Sequence, residues 1–362
     1  MHVRTSLAAA MALACAVFTA PAAAHEASSF DARIDQALDG ARPGQFVQVT
    51  PLGPTRRAAD GLLEVRLPDD TVVKTHGLDP APPPEVSSSG SPAAGAALPE
   101  RRLNCAGLPR LRVFYMHPSD RPSRWSAAMY ERIRAYTRQM SHQLHSDARA
   151  SSRGTVGADY RVRCNSAGTI HVSPLRSTTT AGRDDFSVIQ QDLKRAGHDS
   201  PEGKYLIWYD DPTGGAGCGI GNIWRDDDKT IANRNNQGPR YALVYGNAGG
   251  KVCWNWRVGM HENGHNMGAV QYRAPRSSGD KYHCNDGRDV MCYADGGDKS
   301  AYTNSRCSTY AFDCGSDTYF DTLTEPGEWL RGHWNIGWSG NRYLDFSRPD
   351  APRVSAETTS SG

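Results

Sequence analysis

Two histidines four residues apart can serve one metal ion only if the backbone between them is helical. The run Val258-Gly-Met-His261-Glu262-Asn-Gly-His265-Asn-Met-Gly268 makes that demand. On an α-helix His261 and His265 fall on one face, ~6 Å apart, and Glu262 projects beside the place an ion would take. A carboxylate there can accept a proton from metal-activated water, the arrangement of a hydrolytic zinc site. The competing reading is an exposed helix face with charged residues. The demand reaches beyond this helix, because a catalytic zinc needs a third protein ligand from elsewhere in the chain.

The chain opens with Arg4, an apolar run over 7–18 and Ala22-Ala23-Ala24, which together read as a secretion signal over residues 1–24. The run is shorter than a bilayer span. Removing it takes away Cys15 and leaves Cys105, Cys164, Cys218, Cys253, Cys284, Cys292, Cys307 and Cys314. An even number in an exported chain predicts disulfides, and pairing consecutive cysteines lets each bond bracket one local unit. No C-x-x-C pair exists, which argues against zinc held by thiolates. Leader and cysteines together predict a secreted protein, extracellular or periplasmic. The formal charge of +2, without a dense Lys/Arg cluster, argues against nucleic acid or a membrane surface as partner. Oligomeric state is not readable.

In residues 25–79, Phe30, Ile34 and Leu38 recur at helical spacing, and 46–49 and 62–67 read as strands. The second turns through Pro68-Asp69-Asp70 into 71–74. Residues 80–100 have the Pro, Ser, Ala and Gly content of a linker, so 25–79 reads as a pro-segment removable there or as an attached accessory domain. The main domain is placed at 101–348, with a disordered tail at 349–362. Within it, strands are predicted at 111–116, 160–164, 169–172, 204–209 and 241–245, and helices after Pro122, over 185–196 and over 256–269. His142 and His145 read as packing or solvent-facing residues of the first helix. The Gly-rich stretch 210–221 reads as an irregular loop, and Asp226-Asp227-Asp228 as a solvated one. The aromatic residues of 318–320 and 329–335 are expected to pack the lower part of the domain.

The sequence His261-Glu262-x-x-His265-x-x-Gly268 resembles the signature of the metzincin metallopeptidases, which continues x-x-His and is followed by a turn holding a Met under the metal. Position 271 is Gln, which departs from that signature. Either Gln271 binds through its amide oxygen, a poor match for zinc, or the third ligand comes later. His283, with Asp286 and Met291 at offsets of three and eight, resembles the corresponding segment of matrix metalloproteinases. On that likeness residues 271–282 form an insertion and the ligands are His261, His265 and His283. Met291 then matches the Met of the turn, and Tyr293 matches a position where astacin-like members place a Tyr able to donate to the oxyanion. Asp289 either anchors an imidazole or stabilises the turn.

The resemblance implies an α+β, zincin/metzincin-like fold: a mixed twisted sheet with two helices plus the active-site helix, and an irregular disulfide-rich lower subdomain. It further implies a secreted Zn2+-dependent endopeptidase acting on protein or peptide, with Glu262 as general base and Tyr293 assisting. The edge strand for substrate is expected at 241–245. Around Cys105, the sequence Asn-Cys-Ala-Gly-Leu-Pro bears a faint likeness to a cysteine switch, while the even cysteine count favours a disulfide. The alternatives are zinc hydrolysis of another bond, such as a cell-wall peptide crosslink, and a non-catalytic secreted binding protein with a degenerate or structural metal site.

Overall fold

The computed structural model describes residues 24–80, 104–211, 217–248, 251–299 and 306–347. The leader apart from Ala24, the linker apart from Pro80, and the tail at 349–362 lie outside the described residues.

The N-terminal segment begins with helix α1 (Ala24–Asp39) and continues into an antiparallel sheet of β1 (Val47–Val49), β2 (Gly53–Arg57), β3 (Leu63–Arg66) and β4 (Val72–Thr75), paired in chain order. The turn from β3 to β4 runs through Asp70, whose φ is +64°. Strand β2 was not anticipated, because Gly53-Pro54 reads as a turn and not as a strand opening.

The main domain follows as β5 (Arg110–His117), α2 (Ala127–Ser151), β6 (Gly157–Tyr160), β7 (Val172–Arg176), α3 (Phe186–Arg195), β8 (Gly203–Tyr209), β9 (Gly219–Gly221) and β10 (Arg240–Tyr245). A short hairpin, β11 (Asn247–Ala248) and β12 (Lys251–Val252), leads to α4 (Trp256–Asn266), and the chain closes with α5 (Trp329–Gly332) and β13 (Leu344–Ser347). The central sheet has the order β7-β5-β8-β10-β9, with β9 antiparallel to its neighbour and the other pairings parallel. Two strand expectations shift here. The stretch 160–164 yields β6, which ends at Tyr160 and pairs with β13, and β7 starts at Val172, where the next expected strand ended.

Alternation along the strands splits the core in two. Val113, Tyr115, Leu206, Trp208, Ala242 and Val244 join Ile133, Met140 and Leu144 of α2 and Val258 and Met260 of α4. Phe114, Met116, Ile207, Tyr209 and Leu243 join Phe186, Ile189 and Leu193 of α3, and also Ile34, Val49, Leu52, Leu63 and Val65 of the N-terminal segment. That segment therefore shares one core with the main domain. Both helices α2 and α3 start at side-chain caps, Ser126 accepting from Met129 N and Asp185 from Ser187 N and Val188 N. His142 and His145 of α2 lie outside the candidate site described below; His145 is buried, 3.7 Å from Asp159.

Strand β8 is buried along its whole length, Lys204 included. Nζ of Lys204 donates to the carbonyl oxygens of Asn235, at 2.8 Å, and Asn266, the last residue of α4. These two bonds tie the end of α4 to the centre of the sheet. The four expected disulfides are all formed: Cys105–Cys164, Cys218–Cys253, Cys284–Cys292 and Cys307–Cys314. Tyr319, Phe320, Leu330 and Trp334 are buried, as expected of the aromatic tail.

Just before α3, Asp184 sits in the left-handed region (φ +43°) with its carboxyl buried. Burial, then the hydrogen bond and charge of Asp211, push its pKa up to about 8. The folded chain thus keeps a proton that the unfolded chain loses near pH ~4. Stability carried by that proton is complete below pH ~4 and is lost as pH rises toward 8. Asparagine tolerates the same backbone and carries no charge. The variant Asp184→Asn should match the parent's thermal midpoint at pH 4 and exceed it by ~2–4 °C at pH 8.5, checked by calorimetry.

Candidate metal centre

Helix α4 begins at Asn255, whose side chain accepts from Arg257 N at 3.0 Å and Val258 N at 3.2 Å. It ends three residues earlier than expected, and Gly268 (φ +90°) turns the chain out of the helix. A Cβ at that position would lie 2.8 Å from atoms of Asn235 and Trp334, so the exit needs glycine on both counts.

The helix buries His261, Glu262 and His265 together. Nε2 of His261 and Nε2 of His265 are 3.1 Å apart. His283 arrives from the return loop, its ring centroid 5.2 Å from that of His261 and 5.1 Å from that of His265. The outer nitrogens of His261 and His283 are tied. Nδ1 of His261 meets the Val290 carbonyl at 2.7 Å, and Nδ1 of His283 meets Asp295 Oδ2 at 3.0 Å. Ser278 Oγ donates to the same Asp295 oxygen at 2.6 Å. The Cys284–Cys292 disulfide closes the loop that carries His283 and Met291. Met291 is fully buried beneath the cluster, its sulfur 2.6 Å from where a Cβ on Gly264 would stand.

The sequence left two questions open here. Asp289 anchors no imidazole: it accepts from Met291 N at 2.8 Å, Cys314 N at 2.7 Å and Tyr319 Oη at 2.5 Å, so it holds the turn. Gln271 is spent elsewhere. Its Oε1 accepts from Asp226 N at 2.9 Å, and its Nε2 donates to the carbonyls of Trp224 at 3.1 Å and Gly268 at 2.9 Å. Asp286 is held by Arg306, and Asp227 by Arg273.

The expectation for the edge strand is corrected. Strand β10, at 240–245, lies inside the sheet, and the edge beside α4 is β9, within the glycine-rich stretch read as a loop. Its glycines mark close approach. A Cβ on Gly219 would collide with the Glu262 carboxyl, and one on Gly221 would lie 2.6 Å from the Glu262 carbonyl oxygen.

The N-terminal segment covers this edge. Thr75 Oγ1 donates to the Gly221 carbonyl at 2.8 Å, Asp79 N donates to the Gly219 carbonyl at 2.9 Å, and Cys218 N donates to the Asp79 carbonyl at 2.7 Å. The bridges Thr75 to Asn222 and Asp79 to Gly219 are antiparallel. This path puts the Asp79 carboxylate among the imidazoles, 2.9 Å from His283 Nε2, 3.3 Å from His261 Nε2 and 3.9 Å from His265 Nε2. Tyr293 Oη donates to Asp79 Oδ1 at 2.5 Å. His76 comes too, its ring centroid 3.9 Å from that of His265 and its Nε2 3.5 Å from Asp79 Oδ2. Neither His76 nor Asp79 was singled out from the sequence. The signal available was a His and an Asp three residues apart directly before the linker.

Burial first, then the charge of Asp79, drives the Glu262 carboxyl well above its usual range. Burial opposes charge on Asp79, but the facing imidazoles hold it well below its usual range. Burial likewise works against His283, yet Asp79 and Asp295 bring it up to about 9, whereas burial and the neighbouring rings push His265 well down. His76 Nε2 and both Glu262 oxygens are buried without a well-aligned hydrogen-bond partner. Such atoms cost ~1–3 kcal/mol each when left so. The donors of His76, Asp79, His265 and His283 lie within 4.8 Å of one another, as do those of Asp79, His261 and Glu262. Inward nitrogens whose partners across the ring are tied to a carbonyl or carboxylate are the pattern of metal-ligating histidines, so the residues fit a metal ion.

No known protein family matches the chain by sequence, and no curated protein does. Among solved structures, metalloproteinase-II from Bacteroides fragilis is 15% identical, with a TM-score of 0.28, over 55% of this chain and 50% of that one. The chain therefore spans about half the length of that protein. OgpA from Akkermansia muciniphila is 12% identical, with a TM-score of 0.32, over 62% of this chain and 68% of that one. At these TM-scores the likeness is too slight to assign fold or activity, and the functional reading rests on the site itself.

Proposed function

We propose that the chain is a secreted zinc-dependent endopeptidase whose cleft is filled by its own N-terminal segment. The observation that carries this reading is the convergence of His261, His265 and His283 on one point beside Glu262. Three imidazoles, two of them oriented by outward hydrogen bonds, favour zinc over harder ions, and these residues would hold it. A bound zinc ion would supply Lewis acidity to the scissile carbonyl and lower the pKa of a water.

The chain's own groups account for the rest. Glu262 accepts the proton of the attacking water at its carboxylate and passes it to the leaving amine. Tyr293 donates from Oη to the oxyanion, in place of its present bond to Asp79. An extended peptide takes the position of residues 75–79 and pairs with the free edge of β9. While Asp79 is in place its carboxylate fills the space among the three imidazoles where the water and scissile carbonyl would sit, and its charge opposes ionisation of the Glu262 carboxyl. Activity therefore requires that the segment leave.

The second reading, a non-catalytic secreted binding protein with a closed metal site, is favoured by the core that residues 25–79 share with the main domain. Processing separates the two. Chain digested until residues 25–100 are lost should cleave casein, and the same preparation of Glu262→Gln should retain one metal per chain and lose cleavage by at least ~1000-fold. Processed wild type that holds metal but leaves casein intact would favour the binding protein. Metal analysis of purified chains should find His283→Ala depleted and Gln271→Ala loaded like wild type; the reverse pattern would return the third ligand to Gln271. Loss of the outward partner in Asp295→Ala should weaken metal affinity ~10–100-fold, read by competition with a chromogenic chelator.

A further inference from the structure

We propose that the N-terminal segment closes the metal centre with two donors, His76 Nε2 and an Asp79 carboxylate oxygen, so that the uncleaved chain surrounds its ion with four imidazoles and a carboxylate. This rests on the zinc reading above and deepens it, because it specifies how the precursor differs chemically from the processed protein.

Asp79 alone would account for a blocked cleft, and its contacts with three histidines and Tyr293 need no help from His76. His76 nevertheless does what no packing residue does. Its side chain is about 2% exposed, its Nε2 faces the Asp79 carboxylate at 3.5 Å, and that nitrogen has no well-aligned hydrogen-bond partner. The ring packs against those of His265 and His283, at 3.9 Å and 4.9 Å between centroids. A fourth imidazole delivered into a cluster of three, with its Nε2 turned toward the Asp79 carboxylate, is a ligand arrangement, since bare imidazoles have little reason to crowd otherwise.

The backbone explains how both donors arrive together. Strand β4 ends at Thr75, whose hydroxyl is fixed to the Gly221 carbonyl and also accepts from Gly77 N at 3.3 Å. Gly77 (φ +126°) then bends the chain, Leu78 drops into the core, and Asp79 resumes pairing with β9. The bend between the two bridges is what turns His76 and Asp79 toward the same point. A segment with Asp79 only would not need it.

The difference has a measurable consequence: metal in the precursor is harder to remove, and its coordination number falls when the segment goes. The test uses the full-length Glu262→Gln chain, which cannot process itself, loaded with Zn2+ or Co2+. In that background His76→Ala, His76→Gln and Asp79→Ala are compared for the Co2+ visible spectrum and for the rate of zinc transfer to a chelator, with circular dichroism as the folding check. Each variant should release zinc at least ~10-fold faster, the smallest effect expected of a group that touches the ion when outlying partners already contribute that much. Each should also raise the Co2+ absorptivity as the site moves from five donors toward four. Folded His76 variants that match the parent in both readouts, with Asp79→Ala altered, would overturn the two-donor closure and leave the zinc reading intact. A parent chain that takes up no stoichiometric metal would overturn both.

Discussion

Everything around α4 answers one requirement: His261, Glu262 and His265 are buried on the same short helix, and each must find a partner inside the protein. An uncompensated charge there costs several kcal/mol, comparable to the whole stability of a typical domain. The Val290 carbonyl and the Asp79 carboxylate, itself held by the Tyr293 hydroxyl, are supplied from two separate parts of the chain to meet that cost. The same requirement explains why the return loop is so heavily fixed, by Asp289 holding the turn, by Asp295 and Ser278 holding His283, and by a disulfide across both.

The edge of the sheet poses a second problem, with the same solution. Strand β9 lies close enough to α4 that Gly219 and Gly221 admit no side chain, and it presents unpaired backbone groups beside the buried histidines. Residues 75–79 satisfy those groups and deliver Asp79 in one stroke. Hydrogen-bonded pairing sets the register, and the register sets which side chain faces the cluster, because a shift of one residue would turn Asp79 away.

Much of this was legible in the sequence. The four-residue spacing of His261 and His265, the glycine exit at 268 and the disulfide pairs follow local rules, whereas the return of His283 with Met291 was implied only by the family resemblance; the structure brings the three histidines together. What escaped was non-local. Strand β9 is glycine-rich because a helix presses on it, and glycine erases the alternation by which a strand is recognised. Gln271 fills the ligand position of a known signature, yet its amide clamps Asp226, Trp224 and Gly268, a role no spacing reveals. His76 and Asp79 lie some 180 residues before α4, and only the sheet pairing brings them to it.

The bond between Cys284 and Cys292 has a meaning beyond rigidity. It fastens the residue after His283 to the residue after Met291, so the third imidazole and the floor beneath it are held by a link that forms only where thiols can be oxidised. In a reducing compartment the eight-residue loop would be free, and one of the three converging histidines would lose its fixed position. An oxidising environment is thus a condition for the geometry of the centre as well as for the stability of the fold.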